Sequence, residues 1–344
     1  MDKNLPRRVN NIFYPKIKFK NMLEAYTRAA EEKHYNKEVI IYEMDLASNL
    51  VKVLRELYNR TYRTSEYRSF TIYEPKKRII KALPFKDRVV QQWYVEEFIK
   101  PIFLPKFIED TYACIPTKGV HQAVHKLRKY TYNMSKKNND FYFLKCDVSK
   151  FFNSIDKETL YKIMERYVKD KYFLEHTKLL IYSDNSPIGI PIGNYTSQYF
   201  ANIYMNKLDH YVKEELKIKY YVRYMDDFAM VLHSKEECRQ ILDKIRAFLR
   251  EELKLELNKK TNYFKGKQGI NFCGYKIFAT HILLKKHNKK KIYKKLKKWN
   301  ELYENKELNL RETFTKLASW EGHAKNADTY YLRQKVRKKC NWLY

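Results

Sequence analysis

Apolar residues recur at three- and four-residue steps in LASNLVKVLRELY, inside a stretch from 21 to 60 that this spacing predicts to be helical. A polar and aromatic segment follows. FTIYEPKKRIIKALPF then reads as two strands flanking a turn at Pro75, and DRVVQQWYVEEFIKPIF as a helix stopped before Pro101, where proline would break the hydrogen-bond ladder. Further on, FYFLKCDVSKFF has the apolar density of a buried strand. YYVRYMDDFAMVLH gives two apolar strands joined across a pair of aspartates. Between Glu236 and Leu257, the positions Cys238, Ile241, Leu242, Ile245, Phe248 and Leu249 form one apolar helix face. The succession of strand, helix, hairpin and helix predicts an α+β architecture.

Charge adds a class of partner. The chain of 344 residues carries 70 Lys and Arg against 40 Asp and Glu, a formal net charge of +30, and such an excess needs a polyanion. Hydrophobic residues make up 44% and aromatics 16%, which excludes a disordered basic tail. From Lys285 to Tyr344 there are 18 Lys and Arg against 6 Asp and Glu, with Trp299, Trp320 and Trp342 among them, so this end is predicted to be a basic helical lobe. No apolar run approaches the roughly 18 residues that span a bilayer, and a soluble, cytoplasmic protein without a membrane partner is expected. Cys114, Cys146, Cys238, Cys273 and Cys340 form no CxxC pair and are expected to be buried thiols. Glycine is scarce, 7 in all and none before Gly119, so each is a candidate for a constrained backbone position.

The chemistry concentrates in carboxylates. Tyr224-Met225-Asp226-Asp227 joins two apolar strands, and Asp147 ends FLKCD, another strand of that kind. Adjacent aspartates at a hairpin also serve as turn formers. Flanks apolar enough to be buried nevertheless place three acids at one sheet edge, where they would repel unless a divalent cation neutralised them. Hard oxygen donors suit Mg2+ or Mn2+. Two such ions about 3.5–4 Å apart serve in-line phosphoryl transfer, one activating the attacking hydroxyl and one holding a triphosphate. Asp147, Asp226 and Asp227 are therefore the candidate catalytic residues and the candidate ligands of two Mg2+ ions, with Mn2+ as a substitute. In a basic chain they point to nucleotide polymerisation.

At these residues the sequence resembles reverse transcriptases, from about Arg60 to Gly274, with the basic terminal lobe where the thumb belongs. The resemblance implies a right-hand polymerase. An N-terminal extension and fingers would occupy 1–140, a palm with an antiparallel sheet 141–284, with neighbouring segments contributing part of the fingers, and a helical thumb 285–344. CDVSKFF resembles the first catalytic motif, which implies that Asp147 holds a metal and that Phe152 is a steric gate. Its ring would exclude a 2′-hydroxyl and select dNTPs, the alternative being plain core packing. IPIGNYTSQYFANIYMNKLD resembles the motif that contacts the templating base and the dNTP, implying a binding role for Ile192, Gly193 and Gln198, with Asn194, Thr196 and Ser197 able to hydrogen-bond. Most reverse transcriptases carry Gln before this glycine and Pro after the serine. Ile192 and Gln198 stand there instead, a departure that resembles the enzymes of diversity-generating retroelements, which copy an RNA template with errors opposite adenine.

Other blocks carry further implications. EPKKRIIKALPFKDRVVQQ resembles the fingers segment that closes on the triphosphate, with Lys76 and Arg78 at the phosphates and Arg88 at the helix start, or else solvated cations. YACIPTKGVHQAV resembles the block that follows in bacterial enzymes, with Gly119 at a turn near the template. In LELNKKTNYF, Lys259 or Lys260 is a candidate general acid for the leaving pyrophosphate. INFCGYKIF resembles the primer grip, with Phe272, Cys273, Gly274 and Tyr275 supporting the primer end, or else an ordinary strand. The implied activity is RNA-directed DNA synthesis from a retroelement template RNA in a bacterial, archaeal or phage-encoded system. Partners would be the template RNA, the RNA–DNA duplex, dNTPs and a small basic accessory protein of the same element. A reverse transcriptase of group II introns or of phage defence is the alternative within the class. A catalytically idle RNA-binding scaffold is the alternative outside it.

Overall fold

A computed structural model describes residues 8–73, 77–340 and 342. In chain order it begins with helices α1 (Phe19–Ala30), α2 (Lys37–Glu43) and α3 (Leu46–Tyr58), strands β1 (Arg68–Ile72) and β2 (Arg78–Ala82), and helices α4 (Phe85–Tyr94), α5 (Lys100–Phe103) and α6 (Val120–Ser135). Strand β3 (Tyr142–Asp147) precedes helices α7 (Phe151–Ser154), α8 (Lys157–Glu165), α9 (Lys171–Ile181) and α10 (Tyr195–His210). Next come β4 (Tyr221–Tyr224), β5 (Asp227–Leu232), α11 (Lys235–Leu253), β6 (Asn262–Lys265), β7 (Ile270–Phe272), β8 (Tyr275–Ile277) and β9 (Ile282–Leu284). Helices α12 (Lys286–Glu304), α13 (Leu310–Ala324) and α14 (Tyr330–Lys338) complete an α+β architecture.

Local chemistry explains where these elements break. The helical stretch over 21–60 divides into three helices, and Asn36 restarts the chain as α2 by accepting from the Glu38 N–H. The helix expected to stop before Pro101 does not stop there. A π-helical turn at Val95–Ile99 follows α4, and α5 opens with Pro101 in its first turn, where a missing N–H leaves no helical bond unmade. Strands β1 and β2 pair antiparallel from Arg68↔Ala82 to Ile72↔Arg78, while the expected turn residue Pro75 lies outside the described residues. Helix α11 ends at Leu253, four residues short of Leu257, and buries Cys238, Ile241, Leu242, Ile245 and Leu249. Phe248 stacks on Tyr211, with ring centres 4.1 Å apart. The cysteine expectation needs correction at two positions. Cys114 and Cys273 are only half-buried, each in a positive-φ turn (54° and 47°).

The chain divides into two compact units. One comprises the chain up to Glu109 with Val148–Glu215 and Ile245–Lys259, and its aromatic core gathers Phe13, Trp93, Tyr94 and Tyr62 around the buried His176. The other comprises Asp110–Asp147, Leu216–Lys244 and Lys260 onward. Here the strands form an antiparallel sheet in the order β4-β5-β3-β6 and a smaller one in the order β7-β8-β9. On one face of the larger sheet Phe143, Val222, Ala229 and Val231 pack with Ala123, Val124 and Leu127 of α6 and with Phe272, Tyr275 and Ile277. Burying each of the Val, Leu, Ile and Phe side chains here contributes about 1.5–3 kcal/mol, so the strand ends that carry acids rest on a well-fixed floor. In the same unit α12–α14 enclose Ile292, Leu296, Trp299, Leu317 and Val336, and Arg337 clips α14 to α13 through two 2.7 Å bonds to Glu321.

Candidate active site

Register brings the acids together. Strands β3 and β5 pair from Tyr142↔Leu232 to Asp147↔Asp227, and β4 meets β5 at Tyr224↔Asp227. Asp147 and Asp227 are thus directly opposed on one face of the sheet, at a spacing of about 4.5–5.5 Å between Cβ atoms. Only Met225 and Asp226 form the connecting turn, so the expected turn of paired aspartates is corrected: Asp227 is the first residue of β5. Met225 takes φ 59°, a conformation that costs about 1–3 kcal/mol in a residue with a side chain. Arg223, fully buried, donates from Nη1 to the Met225 carbonyl at 2.9 Å and so supports the turn from below. Sequence reasoning passed over Arg223 because an arginine in a strand ordinarily signals a solvated face.

The electrostatics centre on Asp227. Lys145 Nζ donates to Asp227 Oδ2 at 3.0 Å and to the Asn271 carbonyl at 2.5 Å, whereas Asp227 Oδ1 is buried and, among the described residues, has no hydrogen-bond partner. Burial, opposed by Lys145 and reinforced by the charges of Asp147 and Asp226, pushes the Asp227 carboxyl up to about 6. Among the described residues, no three His, Cys, Asp or Glu side chains are drawn into a ready ligand sphere. The donor set still fits a hard divalent cation, since it offers carboxylates from one sheet end and one orphaned carboxylate oxygen.

The first unit holds a cavity of about 530 Å3, lined by Lys77, Arg78, Ile79, Lys81, Asn153, Asp184, Ser186 and the segment Ile188–Ile192. Its anchor is Asp184, which accepts from the fully buried Lys157 at 2.7 Å, from Lys81 at 3.0 Å and from the Ser186 hydroxyl. Burial alone would raise the Asp184 carboxyl, but these hydrogen bonds hold it below the usual carboxylate range. The backbone closes the same corner. Lys81 N–H donates to the Ile192 carbonyl at 2.9 Å, and a Cβ at Gly193 (φ 128°) would lie 2.6 Å from the Lys81 oxygen, so only glycine allows this approach.

Of the expected nucleotide-site residues, Arg78 and Ile192 share this cavity, while Lys76 lies outside the described residues. Gly193 follows Ile192 in the loop, and Gln198 is exposed on α10. Asn194 bonds the Tyr67 hydroxyl at 2.6 Å, and Thr196 and Ser197 are buried. Phe152 is half-buried on α7, and its carbonyl accepts from Ile190 N–H at 2.8 Å. Arg88 donates to the Leu83 carbonyl at 2.8 Å, just ahead of α4.

The remaining candidates separate. Lys259 and Lys260 occupy the turn before β6, both exposed, the former in the first unit and the latter in the second. Phe272 and Tyr275 are core residues, and Tyr275 donates its hydroxyl proton to the His323 carbonyl at 2.7 Å, so Cys273 and Gly274 alone make the turn of that motif. Gly119 is extended backbone at the start of α6.

Comparison with known proteins gives the family. The reverse transcriptase (RNA-dependent DNA polymerase) model matches residues 73–277, more than half of the chain, and contains β3, the β4–β5 hairpin, Phe152 and Ile192. The chain is 26% identical over 204 residues to the putative COX1/OXI3 intron 2 protein of Saccharomyces cerevisiae, a match covering 40% of this chain and 24% of that protein. It is 22% identical over 301 residues to the group II intron-encoded protein LtrA of Lactococcus lactis subsp. cremoris, covering 66% and 49%. It therefore spans about a quarter and about half of these relatives. Among solved structures, apo telomerase from Candida tropicalis, truncated from its C-terminal domain, aligns with a TM-score of 0.49 at 13% identity, over 64% of this chain and 55% of that one. Among the described residues, no helix is long and apolar enough to cross a membrane. Reverse transcriptases act with divalent metal ions and an RNA template on a right-hand polymerase fold, and the chain belongs to that family of RNA-directed DNA polymerases.

Proposed function

We propose that the chain makes cDNA from a retroelement template RNA, as the reverse transcriptase of a diversity-generating retroelement that errs opposite adenine. The observation that carries the polymerase chemistry is the opposed pair Asp147 and Asp227 with Asp226 in the adjoining turn. The finer reading is supported by Ile192, an aliphatic side chain at the cavity wall that cannot make the hydrogen bond of an amide, and by Gln198.

In this reading fingers extend to about residue 140, the palm covers 141–284 and the thumb begins at 285. Asp147, Asp226 and Asp227 would hold two Mg2+ ions, or Mn2+ in their place, which supply activation of a primer 3′-hydroxyl and neutralisation of the triphosphate. Arg78, with Lys76, would bind the phosphates, and Phe152 would exclude a ribose 2′-hydroxyl. Lys259 or Lys260 would protonate pyrophosphate, and the turn at Cys273 and Gly274, between Phe272 and Tyr275, would support the primer end. Helices α12–α14 would follow the duplex backbone, and the counterions they release make binding salt-dependent. A small basic accessory protein completes the proposed cytoplasmic assembly.

The test is primer extension on an RNA template with Asp226→Ala, with circular dichroism to verify folding. Loss of dNTP incorporation from a folded variant is expected. Near-normal extension would remove the carboxylate assignment. A group II intron-like enzyme is the second reading, favoured by the similarity to LtrA. It replaces the first if the wild type copies adenine as accurately as the other bases.

A further inference from the structure

Lys145 lies two residues before Asp147 on β3 and therefore on the same face of the sheet. It sits opposite Ala229, and its long side chain reaches the diagonal neighbour, Asp227. Three partners surround its Nζ: Asp227 Oδ2 at 3.0 Å, the Asn271 carbonyl at 2.5 Å, and the Phe272 ring with its centre 5.5 Å away. Among the described residues, the second Asp227 oxygen has no hydrogen-bond partner. Among the described residues, Lys145 thus answers one oxygen of a carboxylate that faces Asp147 across the sheet.

We propose that Lys145 is a positioning residue of the carboxylate cluster, which holds Asp227 in the ion-free protein and sets by its charge how tightly the cluster binds a divalent cation. The proposal rests on the cation-site reading given above. The Asn271 carbonyl and the Phe272 ring hold Nζ independently of Asp227, so the positive charge stays beside the cluster when a cation arrives. Lys145 therefore lowers affinity while fixing the carboxylate in advance. A lysine that merely filled a gap in the sheet would have no such effect on ion binding.

The test is a Mn2+ titration of the full chain, without nucleotide or nucleic acid, followed by electron paramagnetic resonance, with melting temperatures measured with and without the ion. Lys145→Met is expected to bind Mn2+ on the order of tenfold tighter, whereas Lys145→Arg stays within about twofold of wild type, because it keeps the charge. Lys145→Met should also melt lower without the ion and gain more from Mn2+ than wild type does. Equal or weaker binding by folded Lys145→Met overturns the proposal. Should that variant not fold, Lys145→Gln is titrated instead and read by the same two outcomes. A double variant, Asp147→Asn with Asp227→Asn, separates the underlying reading. If it binds Mn2+ as wild type does, the cluster is not the cation site, and the proposal falls for a reason that does not involve Lys145.

Discussion

Gly189→Ala probes how the chain positions the ring proposed as its sugar gate. Gly189 has φ 88°, and a Cβ there would lie 2.8–2.9 Å from the O, C and Cα atoms of Asn153. Its N–H donates to the Ile155 carbonyl at 2.8 Å, and the next N–H, of Ile190, donates to the Phe152 carbonyl at 2.8 Å. These two bonds stitch the segment to the chain on both sides of Asn153. Alanine meets two penalties: a left-handed backbone costs about 1–2 kcal/mol, and overlap with main chain rather than a flexible side-chain end adds about 1–3 kcal/mol, together about 2–5 kcal/mol. If the backbone yields instead, Ile190 moves, and the Phe152 peptide moves with it. A displacement that removed about 1.4 kcal/mol of discrimination would raise ribonucleotide over deoxyribonucleotide incorporation about tenfold. The assay pairs urea unfolding with single-nucleotide incorporation of matched dNTP and rNTP at one template position. Gly322→Ala is the control, because among the described residues its new Cβ would meet nothing within 4 Å. Wild-type stability together with an unchanged sugar ratio in Gly189→Ala would refute the reasoning.

Other perturbations test separate parts of the structure. Phe152→Ala should raise ribonucleotide incorporation relative to deoxyribonucleotide in the same assay, and an unchanged ratio in an active variant would remove Phe152 as the gate. Ile192→Gln restores an amide at the cavity wall and should sharpen nucleotide selection chiefly opposite template adenine, by about tenfold for each 1.4 kcal/mol of added discrimination, as measured by misincorporation per template base. Arg337→Met breaks the clip to Glu321, whose carboxyl the Arg337 hydrogen bonds hold below its usual range. The lowered folded-state value means that this contribution is present above the unfolded carboxyl value of about 4.3 and is lost as pH falls through the folded one. The stability gap between wild type and variant, about 1–2 kcal/mol at neutral pH, should therefore close in acid, and a pH-independent gap in urea titrations would count against the ion pair.

Local pattern carried a large part of this protein. The apolar run of YYVRYMDDFAMVLH predicts its hairpin because both strands and the turn are sequence neighbours, and the α11 stripe is visible because burial repeats with the helical period. The same logic located Asp147 and Asp226 as strand-end and turn acids. It did not settle that Asp227 faces Asp147, since that depends on the register of β3 against β5, strands separated by more than 70 residues. Periodicity also misjudged Pro101, where a π-helical turn lets the chain resume a helix with proline in its first turn. The polar anchors were beyond its reach altogether. Lys81 meets Asp184 across 103 residues and Lys145 meets Asp227 across 82, and each lysine taken alone reads as a solvated surface charge. A hydrophobic pattern reports which face of an element is buried. Which charges are buried together is decided by tertiary packing, because a desolvated ion is stable only beside a partner that a distant part of the chain supplies.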